Sequence, residues 1–424
     1  MNDAMSTGTA TQERLDLASL GPGFVADPFP VLARLREEEP VRRVVYHGLP
    51  AWLVTRFADV QAAYSEPRLS ADPANASEEA RAVPWTAAAA SIGLGRAMVY
   101  LDPPEHSRVR RLVSRAFTPR RVDGMRAFIR QTADDLLDGV REIAREHGQV
   151  DLLREYSVPL ANRVIMGLIG VPVEDSGPFQ DYSSLFLSTD PADQARFPEA
   201  LAWIRAYIDR LVTDKRAAPG DDLLSELIAM HEAGDRLSGT ELGSMTLLLL
   251  LMAGFETTAT LIANAVLALL MHPDQLALLR AEPGLVSGAV EETLRYDGPA
   301  LASLPKYAAE DLTLGGVTIR RHEAVIVSWP AANRDPRRFA DPDTFDIRRG
   351  EVGHIGFAHG IHFCLGASLA RMEAQIGLAA LLDRFPSVRL AVRREDLVWR
   401  ITPNIRGLKA LPLFFDEPAE RPAG

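Results

Sequence analysis

Apolar residues recur at the three-and-four spacing of helices through most of this 424-residue chain and give way to short β-branched runs in two stretches. Helical spacing covers 28–38, and 41–54 reads as a hairpin turning at His47-Gly48. Residues 67–96 are alanine-rich and interrupted by Pro73, Pro84, Gly93 and Gly95, the pattern of a loop over a pocket. Amphipathic helix then runs over 104–216, with breaks at Gly170-Val171-Pro172 and Ser176-Gly177-Pro178. It resumes over 221–295, broken at Gly234 and His272-Pro273. Past Pro299, 312–319 and 323–329 read as short strands, 334–360 as turns, and 367–384 as a last long helix stopped by Phe385-Pro386. No internal repeat or linker divides the chain. The expected fold is mainly α with a smaller β portion, one large domain over 17–416 between polar tails at 1–16 and 417–424.

One segment changes that picture. The run 245–271 is apolar enough to be flagged as a membrane span, but Glu256, Thr257 and Thr258 sit near its middle beside Gly254. An acidic residue at a bilayer centre costs on the order of 2.5 to 3.5 kcal/mol, so a helix through the core of a large soluble protein is the better reading. The net charge of -11 argues against nucleic acid as a partner. A single cysteine excludes internal disulfides, and 1–16 lacks the basic start and apolar middle of a secretory signal. Together these point to a cytoplasmic protein, with no membrane partner, and to a monomer.

The cysteine is then explained by burial or by chemistry. Cys364 lies in the segment Gly356-Phe357-Ala358-His359-Gly360-Ile361-His362-Phe363-Cys364-Leu365-Gly366, which runs directly into the last helix. A helix start offers N–H donors and positive dipole to a thiolate, and Gly360 and Gly366 allow close approach to a flat ligand. The loop resembles the haem-binding signature of the cytochrome P-450 family, Phe-Gly-x-Gly-x-His-x-Cys-x-Gly. It matches at Phe357, Gly360, His362, Cys364 and Gly366, and departs at Ala358, where the family usually has glycine. The resemblance implies a P-450 fold, haem b (iron protoporphyrin IX) as cofactor and Cys364 as the axial metal ligand, whose thiolate favours O–O cleavage.

Other segments resemble the family in the expected order. Ala253-Gly254-Phe255-Glu256-Thr257-Thr258 looks like its oxygen-activation motif. By itself an acid and a hydroxyl in an apolar helix mark a kink with a satisfied carboxylate; the resemblance implies that Thr257 steadies dioxygen and Glu256 helps deliver protons. Glu292 and Arg295 form a Glu-x-x-Arg pair that means little alone, since Glu39 to Arg42 and Glu142 to Arg145 match too. Its place in the order implies a structural triad with Arg349, or else Arg348. His106 and Arg110 share a helix face suited to a carboxylate or to solvent; the resemblance assigns them to haem propionates, with His362 and with Lys306, which stands where an arginine is usual. Arg108, Arg110, Arg111, Arg115, Arg120 and Arg121 form a basic run that the resemblance places where ferredoxin, reduced by ferredoxin reductase, docks.

By that resemblance the protein is a monooxygenase of actinomycete secondary-metabolism type. A peroxide-driven peroxygenase and a haem protein that only binds ligand are the alternatives. Pocket walls are expected from 83–98, 179–203, 249–253 and 301–304, with Leu249, Met252, Ala253, Leu301, Ala302, Ser303 and Leu304 as lining. The small Ala302 and Ser303 leave room for a bulky apolar substrate, a macrolide or other polyketide, with steroid, terpenoid and peptide as other classes.

Overall fold

The computed structural model describes residues 14–84, 86, 93–175, 177–178, 185, 191–232, 238–350, 353–402 and 404–416. The expected breaks at Ser176 and Gly234 lie outside these residues. The described chain is mainly helical, with a six-stranded mixed sheet on one side and a small three-stranded sheet on another.

The sheet starts from the expected hairpin. His47 and Gly48 both have positive φ, 47° and 82°, the two-residue turn whose twist matches its strands, Val41–Tyr46 and Leu49–Val54. Leu49–Val54 then pairs in parallel with Ala324–Val327, which pairs with Lys306–Ala308, which pairs with Leu69–Ser70 at the far edge. At the near edge Leu15–Asp16 pairs with Val44–Val45, so the N-terminal tail expected to reach residue 16 stops short of it. The stretch expected as a loop at 67–96 also holds structure: that edge strand and the helix Glu78–Arg81. Two-residue strands are too short to leave a pattern.

The run 245–271 is not one helix. It divides into the helix Gly239–Leu247, a π-helical turn over Leu248–Ala253, and the helix Glu256–Met271. Gly254 permits the break: a Cβ there would lie 2.1 Å from the Leu249 carbonyl oxygen and 2.5 Å from Ile165. Among the described residues no single helix is long and apolar enough to cross a membrane; the pair Glu256–Met271 and Pro273–Ala281 passes only jointly and bends by 106°. Glu256–Met271 is instead buried almost all round, packed between Val158–Ile169, Val286–Asp297 and Ala367–Arg384. Ala367–Arg384 begins three residues after Cys364, so the core helix and the cysteine loop share one wall.

The three-stranded sheet, Ser387–Leu390, Pro412–Asp416 and Gln149–Asp151, was not expected. It holds the strand Pro412–Asp416 against the end of the long helix Arg126–His147.

Candidate active site

The cysteine loop is folded by its own backbone. Ala358 N donates to Ile355 O at 2.9 Å, Phe363 N to Gly360 O at 3.1 Å, and Cys364 N to Phe357 O at 2.9 Å. Phe357 is buried, and the guanidinium of Arg371 lies 4.4 Å over its ring, held there by Glu291, which also accepts from His354. Burial pushes the Cys364 thiol up, against the pull of the Gly366 N–H, Arg110 and Arg371. A bound metal ion removes the proton outright. Ile361 and Phe363, which precede the cysteine, are each 42% exposed.

Ala358 has φ of 62°, a left-handed conformation that costs a residue with a Cβ roughly 1–2 kcal/mol. Ala358→Gly is expected to stabilise the protein by about 1 kcal/mol in chemical denaturation. An unchanged midpoint would mean the loop relaxes around the methyl group.

Beside this loop four basic side chains converge. His106, on the helix Glu105–Ser114, is 1% exposed, and its ring centroid is 4.5 Å from that of His362. Both His106 ring nitrogens and Nε2 of His362 are buried without a hydrogen-bond partner. Arg110, one turn on, donates to Ile361 O at 3.0 Å, and Lys306 Nζ lies 5.4 Å over the Tyr64 ring. Burial, Lys306, His106 and Arg110 hold His362 down at about 3. Burial and then Arg110 lower His106, with Lys306 adding to this and Asp102 opposing it; Lys306 is lowered by its own burial. Asp102 is occupied by Ser70 and the Ala71 N–H. Orphaned donors packed with like charges call for an anion.

Thr257 Oγ1 donates back to Ala253 O at 3.3 Å, the carbonyl one turn earlier. Glu256 is 3% exposed and paired with Arg400, whose Nη2 donates to Thr260 Oγ1 at 3.1 Å. Sequence reasoning did not find Arg400. Among the basic run, Arg108 is paired with Glu241, and Arg121 with Glu226 and Asp221, so these charges are neutralised within the molecule.

Glu292 and Arg295 form a two-stranded ion pair at 2.8 and 2.7 Å, and Arg349 Nε joins Glu292 at 3.2 Å. Arg348, the other candidate, is paired with Glu282 instead.

The expected pocket walls are only partly among the described residues: 85, 87–92, 179–184 and 186–190 lie outside them, and of Met252 only the backbone is described. Leu249 is buried and Ala253 exposed in the π-helical turn. Leu301 and Leu304 are partly exposed. The small residues do not supply the room expected of them. Ala302 is buried in the core behind the six-stranded sheet, and Ser303 Oγ accepts from Val327 N at 3.1 Å. Facing this wall is a segment the sequence did not suggest: Leu301 N donates to Asn404 O at 2.8 Å, and Asn404 Nδ2 donates to Ala302 O and Ser303 O.

The Cytochrome P450 family pattern matches residues 174–396. The cytochrome P450 monooxygenase PikC of Streptomyces venezuelae is 44% identical over 407 residues, 96% of this chain and 95% of that protein. The chain belongs to the cytochrome P450 family. Among other P450 relatives, 6-deoxyerythronolide B hydroxylase of Saccharopolyspora erythraea is 41% identical over 404 residues, 93% of this chain and 97% of that protein. The structure of the P450 monooxygenase TamI with tirandamycin C bound superposes with a TM-score of 0.85 at 39% identity, covering 95% of this chain and 100% of that one.

As a cytochrome P450 the protein is a haem-dependent monooxygenase with haem b as its cofactor. The described residues fit that group. One soft sulfur donor stands on a loop beside a cluster of basic side chains whose buried nitrogens lack partners. That donor set suits an iron porphyrin bearing two carboxylates.

Proposed function

We propose that this cytochrome P450 hydroxylates an unactivated C–H bond of a bulky apolar natural product, a macrolide or other polyketide, with electrons from a ferredoxin and its reductase. The observation that carries the reading is the basic cluster of His106, Arg110, Lys306 and His362 beside Cys364, in which both His106 ring nitrogens and Nε2 of His362 are buried without partners. In this reading Cys364 binds the iron and those four hold the propionates, Lys306 as a point charge without the fork of an arginine. Haem so bound supplies the activation of dioxygen. Thr257 holds a proton at Oγ1 one turn beyond the π-helical carbonyl of Ala253, and Glu256 passes protons to it. Glu292, Arg295 and Arg349 fix the chain that leads into the cysteine loop.

The substrate class is supported by two relatives: one is named for hydroxylating 6-deoxyerythronolide B, and another was solved with tirandamycin C. Leu249, Ala253, Leu301 and Leu304 offer it an apolar lining, with Met252 as a further candidate. The electron donor is assigned to the face where the exposed Ile361 and Phe363 meet Arg110, a surface suited to a small acidic protein.

Titration of the haem-loaded protein with macrolactones tests the substrate. At least one is expected to shift the Soret band to shorter wavelength and, with ferredoxin and reductase, to gain one oxygen atom from labelled dioxygen. A shift by steroids alone, with every macrolactone silent, would overturn the class.

A further inference from the structure

Arg400 enters the core from a hairpin near the C-terminus. Its strands are joined by Arg400 N to Gly407 O at 2.9 Å and Lys409 N to Val398 O at 2.8 Å. The tip of the same hairpin lies on the wall at 300–304, through Ile405 opposite Ala300 and the three hydrogen bonds that Asn404 makes to Leu301, Ala302 and Ser303. One short segment therefore touches both the proposed substrate wall and the acid of the Glu256-Thr257 pair.

The grip on Glu256 is specific and incomplete. Arg400 bridges Glu256 and Thr260, which stand four apart and so share a helix face, whereas Thr257 lies about 100° round the helix from Glu256. Only one carboxylate oxygen is engaged. Oε2 of Glu256 and Nε of Arg400 are buried without partners, a costly arrangement that suits an acid due to exchange partners. Gly407 makes the room: a Cβ there would lie 2.8 Å from Arg400 Nη2 and 2.9 Å from Thr260 Cγ2.

We propose that Arg400 is a positioning residue for proton delivery: it holds Glu256 on the Thr260 face, and its hairpin, pressed by a bound substrate, releases the acid toward Thr257. This rests on the proton-passing role given to Glu256 above. Burial pushes the Glu256 carboxyl up, and Arg400 opposes that by charge and hydrogen bond. No other charged group acts on it among the described residues. Arg406 and Asp297, beside Asn264 further along the helix, pair with each other, and Glu373 on the neighbouring helix, itself raised to about 8, acts on Tyr156.

The test uses the haem-loaded full chain and its Arg400→Gln, Gly407→Ala, Arg400→Lys and Glu256→Gln variants. Glu256 is followed by the infrared band of its protonated carboxyl, identified by its loss in Glu256→Gln. Without Arg400 the acid keeps its proton to higher pH, so the band's midpoint should rise by roughly 1 to 3 pH units in Arg400→Gln. It should rise in Gly407→Ala as well, which displaces the guanidinium while keeping both partners, and stay near the native value in Arg400→Lys. Bound substrate should raise the native midpoint toward that of Arg400→Gln. Product formed per electron pair should fall roughly tenfold or more in Glu256→Gln, with hydrogen peroxide in its place. Native midpoints in folded Arg400→Gln and Gly407→Ala, or a midpoint indifferent to substrate, would overturn the positioning role. Unchanged product yield in Glu256→Gln would instead remove the proton-passing role on which it rests.

Discussion

Cys364→Ser will fold and will lack the strongly red-shifted Soret band that the native protein shows when reduced under carbon monoxide. The variant should fold because the loop is closed by backbone bonds, Cys364 N to Phe357 O and Phe363 N to Gly360 O, in which the sulfur takes no part. Serine keeps the shape of the side chain and replaces its soft donor with a hard, weakly ionising hydroxyl. Electron release from sulfur to iron, on which O–O cleavage depends, goes with it. Hydroxylation should fall to background while the melting temperature stays within a few degrees of native. If the native protein itself shows the band of imidazole-ligated haem, Cys364 is not on the iron and the assignment collapses.

What could be read from the sequence was local. The cysteine loop and the Glu292-Arg295 pair each lie within a few residues of chain, so spacing alone brings their groups together. The hairpin at His47-Gly48 was legible for the same reason, its turn chemistry written in two residues. The bearer of Glu256's charge was not: Arg400 is 144 positions away, in a segment with no helical or alternating pattern. The basic run shows the converse error. Six arginines read as one face, yet Glu241 and Glu226 come from distant helices, and Asp221 from the bend before one of them, to pair with Arg108 and Arg121. Ala302 and Ser303 were taken as room for a ligand because they are small. The sheet needs them small, since one fits its core and the other bonds its backbone. Residue size tells how much space a position leaves, and only pairing tells on which side.

Glu292→Ala is expected to cost about 3–5 kcal/mol, the range for breaking a buried ion pair from one side. Arg295 is 1% exposed and donates to both oxygens of Glu292, to Asn333 O at 3.1 Å, to Pro342 O at 2.7 Å and to Thr344 O at 3.0 Å. Removing the carboxylate leaves that guanidinium and Arg349 facing each other in the interior, and strips the acceptor from the Asp346 N–H. Such a loss is a large share of a typical total stability of about 5–15 kcal/mol. The damage has a route to the haem site: Asn333 Oδ1 accepts from Ile355 N at 2.7 Å, and Ile355 O in turn accepts from Ala358 in the cysteine loop. Haem content should therefore fall along with the denaturation midpoint. Glu292→Gln, which keeps the shape and one acceptor, should lose less. Arg348→Ala is the control, because the exposed pair it breaks with Glu282 is worth about 1 kcal/mol at most. Equal midpoints for Glu292→Ala and Arg348→Ala would show that the chain below the haem is held by packing and backbone bonds, with the triad's charges incidental.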